Sequence, residues 1–203
     1  STELNNGFMR SIKIITIIFF VLGMSSTVSA QQTSDSIKMM LEARDAQIKT
    51  ILGPKGSEYT DEQRDTLKSI INGVIDFEAM SKVALEETFD TISEEQRLEF
   101  VDLFSSIIRD NSLTKLDIYR ATITYKSISI DDGQALVQTM AELDEVRTPV
   151  DYKMQWKSNE WVISDMSIDD VYTAESYNRQ FQRIIARRGF DALMESLRKR
   201  AAR

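Results

Sequence analysis

The chain has 203 residues and a net charge of −7, and it contains neither cysteine nor histidine. Without cysteine there are no disulfides and no cysteine-ligated zinc, and without histidine there is no catalytic triad that depends on an imidazole base. An acidic chain is also a poor candidate for binding nucleic acid, whose phosphates attract basic surfaces. Disulfides, cysteine-ligated zinc and histidine-dependent triads are therefore excluded at the outset, and nucleic-acid binding is disfavoured.

Residues 1–30 have the pattern of a secretory signal, preceded by a few upstream residues. Arg10 and Lys13 come before an apolar run over residues 14–24, and small residues follow up to position 30. A charged start, a short apolar core and a small-residue exit are typical of a cleavable signal peptide. The run is well below the roughly 20 residues that a membrane-spanning helix needs, and an uncleaved anchor is the alternative. Residues 31–203 are predicted to form a single exported domain.

Helical periodicity predicts several helices ahead of a sheet. An amphipathic stretch over residues 34–52 is stopped by a Gly-Pro pair. Capping-box patterns that begin at Thr60 and Ser93 predict the starts of two more helices, the second running toward Tyr119. Between them, residues 74–89 contain a short, half-apolar helix. The N-terminal half of the domain is therefore predicted to be helical.

Alternation of apolar and charged residues predicts antiparallel strands in the second half. The clearest pair is a hairpin formed by residues 149–157 and 161–168, which follows a strand over residues 135–146. In the first strand the apolar parity changes near Lys126-Ser127, which predicts a β-bulge. The parity changes again in the last strand. Two such changes imply a strongly bent sheet, and the concave face of a bent sheet can hold a ligand.

Two closing helices are predicted on either side of Gly189, and they concentrate basic charge. From Arg179 to Arg203 there are eight basic and two acidic residues. A basic run of this kind is usually a solvated helix face, and the alternative is a surface for anionic headgroups or acidic partners. Charge reversal at Arg198 and Arg200 would test that alternative.

Asp165 is the best single candidate for a catalytic group. It lies among apolar residues of the last strand, and in bent-sheet folds a carboxyl group whose pKa is raised by an apolar cavity can work with a tyrosine hydroxyl. An isolated strand carboxylate is more often paired or bound to backbone groups. Asp131-Asp132 and Asp169-Asp170 lack the spacing of a calcium-binding loop. A ligand carrier, a small enzyme and an assembly module with a solid core all remain open.

Five short motifs in chain order carry a resemblance to a known family. They are IDFEAM at 75–80, SEEQRLEF at 93–100, PVDYKM at 149–154, YNRQF at 177–181 and GFDAL at 189–193. In this order they resemble the MlaC-type periplasmic phospholipid carriers, also called toluene-tolerance auxiliary components of an ABC transporter.

The resemblance implies an α+β fold of the NTF2-like type, with a bent, four-stranded antiparallel sheet and several helices around an apolar cavity. It implies a periplasmic carrier of phospholipid, with no catalysis and no cofactor. The implied partners are an outer-membrane lipoprotein complex and an inner-membrane ABC transporter complex with its membrane-anchored substrate-binding subunit.

Acyl chains would place a strong demand on the volume of that cavity. At about 0.8 kcal/mol per buried methylene, two chains of roughly fifteen methylenes carry on the order of 24 kcal/mol of transfer free energy. Only a cavity near the top of the usual ~300–1,000 Å³ range can shield them from water. Strand parity and helix face then assign the lipid-binding side chains to Phe77, Met80, Phe100, Phe104, Ile107, Tyr125, Val137, Thr139, Tyr152, Met154, Trp156, Ile163, Tyr177 and Phe181.

Overall fold

The computed structural model describes residues 32–202, and the predicted signal segment lies outside that part of the chain. Within it, helices precede and follow one β-sheet, which confirms the α+β class. The helices are α1 (Ser34–Leu52), α2 (Asp61–Asn72), α3 (Phe77–Leu85), α4 (Glu87–Thr91), α5 (Glu94–Ser112), α6 (Thr173–Arg188) and α7 (Phe190–Ala201). The strands are β1 (Thr122–Asp131), β2 (Gln134–Leu143), β3 (Val146–Lys157), β4 (Glu160–Ile168) and β5 (Val171–Tyr172).

The strands form an antiparallel meander in the order β1-β2-β3-β4-β5. The sequence predicted four strands, and the fifth, β5, is a two-residue strand that pairs with the end of β4. Two-residue turns join β2 to β3, β3 to β4 and β4 to β5. They are Asp144-Glu145, Ser158-Asn159 and Asp169-Asp170, and φ is positive at both positions of each turn. This geometry is that of type I′ hairpin turns, which match the twist of the strands. Strands adjacent in the chain are therefore neighbours in the sheet.

Two β-bulges keep the apolar side chains of β1 and β4 on one face of the sheet. In β1 the register with β2 shifts between Tyr125 and Ser127, so that Tyr125 and Ile128 both face the same side. In β4 the register with β3 shifts so that Ile163 and Met166 also share that side. The predicted bulge is confirmed, and the second parity change has the same cause.

The end of one helix differs from the prediction. Helix α5 ends at Ser112 instead of running toward Tyr119, and Leu116–Arg120 forms a separate 3₁₀ turn. The Ser112 hydroxyl donates to the carbonyl of Arg109, and Thr114 donates to that of Asn111. Such local side-chain bonds compete with the backbone ladder and favour a helix end.

The buried apolar residues form two main clusters. The aromatic core, defined by Phe100, Phe104 and Phe181 with their neighbours, lies between α3, α5, α6 and α7. The sheet cluster lies between the N-terminal half of α1 and the sheet, and it contains Val137 and Met154. Gly189, at φ +83°, allows α7 to turn back onto the aromatic core.

Candidate functional site

The face of the sheet that is covered by α1 is called the inner face here. It carries Val137, Thr139, Val150 and Tyr152 from the two central strands, which are cross-strand neighbours. Ile37 and Leu41 of α1 are almost fully buried and belong with the sheet cluster. The buried Thr139 hydroxyl donates to the carbonyl of Val150 at 2.6 Å, so this polar side chain is satisfied within the sheet. The inner face is thus an apolar surface closed by one helix.

A narrow cavity, called the α1 pocket, lies between α1 and the inner face. Its volume is about 60 Å³. The lining residues come from α1, the 3₁₀ turn and four strands: Leu41, Arg44, Asp45, Ile48, Ile118, Tyr119, Ile123, Tyr125, Ala141, Val150, Tyr152, Met166 and Ile168. This volume is far below the several hundred Å³ that acyl chains demand, because Leu41 of α1 is 4% exposed and packs in the sheet cluster. The pocket as it stands has room for a small group only.

An open cleft of about 720 Å³ adjoins the α1 pocket at the end of the sheet. Ile118 and Ala141 line both spaces, so the two are contiguous. Apolar side chains such as Leu113, Leu116 and Leu143 lie in the cleft, and Arg120 and Asp117 form an ion pair beside them. The combined space therefore has an apolar floor with charged groups at its edge.

Arg44 introduces a positive charge into the α1 pocket. It is 9% exposed and is the single charged member of the buried stripe of α1. Burial raises the pKa of the Tyr152 phenol, and the nearby Arg44 guanidinium acts in the opposite direction. Burial also raises the pKa of Tyr119 and of Tyr125. A phenol with its ordinary pKa of 10.0 is already protonated at neutral pH, and these upward shifts act in the same direction, so all three remain available as hydrogen-bond donors.

The structure divides the predicted lipid-binding residues between two places. Tyr125 and Tyr152 line the α1 pocket. Five others lie on the inner face or beside it, namely Val137, Thr139, Met154, Trp156 and Ile163. The remaining seven belong to the aromatic core: Phe77, Met80, Phe100, Phe104, Ile107, Tyr177 and Phe181. Ile75 packs against both clusters, so the aromatic core borders the sheet cluster at that residue.

Sequence reasoning missed all four of the side chains that line the α1 pocket from α1 itself. Arg44 follows Leu41 by three residues and precedes Ile48 by four, which places all three on one helix face. That spacing was a readable signal of burial. The polar surroundings of Arg44, between Glu42 and Asp45, concealed it.

Asp165, the catalytic candidate, lies on the opposite face of the sheet from the α1 pocket. Its Oδ1 accepts hydrogen bonds from the backbone amides of Met166 and Ala174, at 2.8 and 2.9 Å. Burial raises the pKa of this carboxyl, and the amides act against that shift. Because Ala174 is in the first turn of α6, Asp165 joins β4 to that helix. The tyrosines of the α1 pocket are on the other side, so no acid–tyrosine pair forms with them.

The basic residues of the last two helices are not equivalent. Arg198 forms a bidentate ion pair with Glu99 at 2.7 and 2.9 Å, which ties α7 to α5. Arg200 lies over the ring of Tyr177. Arg183 and Arg187 are exposed, and neither forms an ion pair within residues 32–202. They lie one turn apart on α6 and present unneutralised charge to solvent.

Two further classes of site are absent from the part of the chain that the structure describes. No helix in residues 32–202 is long and apolar enough to cross a membrane. The same residues contain no acidic group of three or more side chains that could hold a metal ion.

The bent sheet, covering helix and two contiguous cavities define an α+β fold of the NTF2-like class. A solved phospholipid-binding protein from Ralstonia solanacearum, in complex with a phospholipid, has this fold, with a TM-score of 0.67 at 21% identity. The match covers 82% of this chain and 94% of that one. A sequence model described as "MlaC protein" matches residues 41–199. The chain therefore belongs to the MlaC family, which points to a binding protein and not an enzyme. A search of curated proteins found no match.

Proposed function

We propose that the chain is a periplasmic phospholipid carrier. The observation that carries the proposal is the inner face of the sheet, where apolar side chains from four strands face one covering helix across the α1 pocket, and an open cleft adjoins that pocket. Membership of the MlaC family supports a lipid cargo, and the related fold from R. solanacearum was solved with a phospholipid. The cargo is therefore a phospholipid whose chains are held against the inner face.

Loading requires α1 to move away from the sheet. A volume of 60 Å³ corresponds to about two water molecules at roughly 30 Å³ each, so an acyl chain cannot enter the α1 pocket as it stands. Exposing an apolar side chain such as Leu41 or Ile48 costs about 1.5–3 kcal/mol. Burying one chain of fifteen methylenes returns about 12 kcal/mol of gross transfer free energy. The lipid therefore supplies enough free energy to displace several side chains of α1.

The predicted signal segment and the family support a location in the periplasm. There the protein would move phospholipid between an outer-membrane lipoprotein complex and an inner-membrane ABC transporter complex with its membrane-anchored subunit. The exposed Arg183 and Arg187 of α6 are candidates for docking acidic surfaces of these partners, because no acidic neighbour neutralises them. The Arg183→Glu/Arg187→Glu double variant should slow lipid transfer to the partners. Arg198→Glu is a poorer test, since it also breaks the ion pair with Glu99.

The decisive experiment is native mass spectrometry of the exported protein, purified without detergent, followed by extraction and identification of bound lipid. Near-stoichiometric phospholipid is expected. Tyr152→Ala should reduce the bound fraction, whereas Tyr172→Ala, on β5 outside the α1 pocket, should not. A ligand-free protein that also takes up no added phospholipid would contradict the proposal and favour an assembly module with a solid core.

A further inference from the structure

Arg44 occupies a position where the helix pattern calls for an apolar residue. The buried stripe of α1 runs through Ile37, Leu41, Arg44, Ile48 and Leu52 at intervals of three and four residues. Four of these side chains are aliphatic, and the fifth carries a full positive charge. A leucine at this position would continue the stripe and avoid the desolvation of a guanidinium. The charge at Arg44 therefore needs an explanation beyond packing.

The bonds that Arg44 makes within the protein leave its charge largely uncompensated. One terminal nitrogen donates to the carbonyl of Ile71 at 2.7 Å, and a side-chain hydrogen bond also joins the guanidinium to the neutral phenol of Tyr152. Its Nε is buried and has no hydrogen-bond partner. Asp45, the acidic residue among those that line the pocket, is paired with Lys49 at 2.7 Å, and no ion pair to Arg44 forms within residues 32–202. A buried cation without a carboxylate is unfavourable unless an anion can reach it.

The groups around Arg44 suit an oxyanion. Tyr119, Tyr125 and Tyr152 line the same pocket, and their phenols are protonated hydrogen-bond donors at neutral pH. A guanidinium combined with phenol donors matches the geometry of phosphate and carboxylate groups, which accept several charge-assisted hydrogen bonds at once. The pocket volume of about 60 Å³ would admit such a group, although it is too small for a chain.

We propose that Arg44, together with Tyr152, binds the oxyanion of the lipid's acidic head, which is the phosphate of a phospholipid or the carboxylate of a fatty acid. This inference rests on the proposed carrier function and deepens it. Arg44 acts as an anchor that fixes one end of the cargo against α1. The chains then extend along the inner face, in the space that opens when α1 moves away from the sheet. The site would favour an acidic lipid over a neutral lipid with the same chains.

A purely structural role for Arg44 makes a different prediction. Its bond to the carbonyl of Ile71 ties α1 to the C-terminal end of α2. In a purely structural role, Arg44 would stabilise the fold through this bond alone. If that were its whole role, replacing Arg44 would weaken every ligand to the same extent, through general damage to the pocket. An anion site instead weakens acidic ligands selectively. The ratio of two affinities therefore separates the two roles.

The test compares three probes: phosphatidylglycerol, the diacylglycerol with the same chains, and a free fatty acid of one such chain. Dissociation constants are measured for the wild type, Arg44→Gln and Arg44→Lys, with Arg64→Gln on the exposed side of α2 as the matched control. Arg44→Gln should weaken phosphatidylglycerol by about tenfold to hundredfold, the usual effect of losing a charged hydrogen bond, and diacylglycerol by less than about twofold. The affinity of Arg44→Lys for phosphatidylglycerol should lie between those of the wild type and Arg44→Gln. The affinities of Arg64→Gln should match those of the wild type. Melting temperatures of all variants identify general destabilisation.

The outcomes separate the two proposals. Selective loss of phosphatidylglycerol assigns the site to a phosphate, and selective loss of the fatty acid alone assigns it to a carboxylate. An unchanged ratio of acidic to neutral affinity in Arg44→Gln overturns the anion site and leaves the carrier function intact. A wild type that binds none of the three probes overturns both.

Discussion

The aromatic core and the α1 pocket are both built from buried side chains, yet they differ in what they bury. In the aromatic core, rings of Phe100, Phe104 and Phe181 contact one another at centroid distances of 5.5 to 5.7 Å. The α1 pocket instead combines aliphatic side chains with Arg44, three phenols and a residual cavity. Close-packed apolar residues give rigidity, whereas buried polar groups and free volume give a surface that can exchange partners. The first region maintains the fold, and the second is suited to bind.

The largest expected effect comes from truncation in the aromatic core. Phe104 is fully buried and contacts three other rings. Phe104→Ala should lower the free energy of unfolding by about 3–5 kcal/mol, measured by urea denaturation. Ile168→Ala, which truncates a 41% exposed side chain of the α1 pocket, should cost only about 1 kcal/mol. Equal losses at the two sites would remove the distinction between a rigid core and an adaptable pocket.

Filling the α1 pocket should weaken lipid binding with a smaller loss of stability. Ala141 lines both the pocket and the open cleft, and its side chain is almost fully buried. Ala141→Leu should reduce lipid affinity by tenfold or more, equivalent to about 1.4 kcal/mol, with an overpacking cost of about 1–3 kcal/mol. Ala135→Leu is the matched control, because Ala135 lies on the same strand and face outside the pocket. Undiminished lipid binding by Ala141→Leu would place the cargo elsewhere.

Two carboxylates at helix starts, Asp76 at α3 and Asp165 at α6, should make pH-dependent contributions to stability of opposite sign. Asp76 caps α3 through the amide of Ala79 and pairs with Lys157 at 2.7 Å. Burial alone would raise the pKa of Asp76, but Lys157 and the backbone amides outweigh it and lower that pKa. A lowered folded pKa stabilises the protein above the ordinary value of 3.8, and that contribution is lost as the pH falls through the folded pKa.

Replacing Asp76 measures this contribution. Asp76→Ala should lower the free energy of unfolding at pH 7 by about 0.5–2 kcal/mol, the usual cost of losing a helix cap, and the loss should shrink in acid. Thr60→Ala removes the uncharged cap of α2 and serves as the control, with a cost that does not vary over the same pH range. A pH-independent effect at Asp76 would mean that the cap, and not the charge, supplies its stability.

Much of the fold could be predicted because it rests on local signals. The capping boxes at Thr60 and Ser93 and the stop at Gly189 mark helix ends through short-range hydrogen bonds and backbone conformation. The parity change at Lys126 revealed a bulge, because strand periodicity leaves no other way to bury Ile123 and Ile128 together.

The division of buried residues between two regions could not be predicted in the same way. Tyr152 and Tyr177 are the same residue type, yet Tyr152 lines the α1 pocket and Tyr177 packs against the aromatic core. Helix face and strand parity show that a side chain points inward. They do not show which of two interiors it enters, since that depends on contacts between elements far apart in the sequence.

The smallest effect is expected at Asp165, where the sign of the pH dependence is reversed. Burial raises the pKa of this carboxyl, and its Oδ2 is buried without a hydrogen-bond partner. An acid with a raised folded pKa favours folding in the protonated form, so its stabilising contribution is present below the ordinary value of 3.8 and is lost as the pH rises through the folded pKa.

Asp165→Asn keeps an oxygen that can accept from the amides of Met166 and Ala174 and removes the buried charge. The variant should therefore be slightly more stable than the wild type at pH 7, and the difference should vanish in acid. Urea denaturation across that range measures it, and unchanged lipid binding by the variant is expected because Asp165 faces away from the α1 pocket. A variant that is less stable at pH 7 would show that the charge strengthens the bonds to α6 by more than its burial costs.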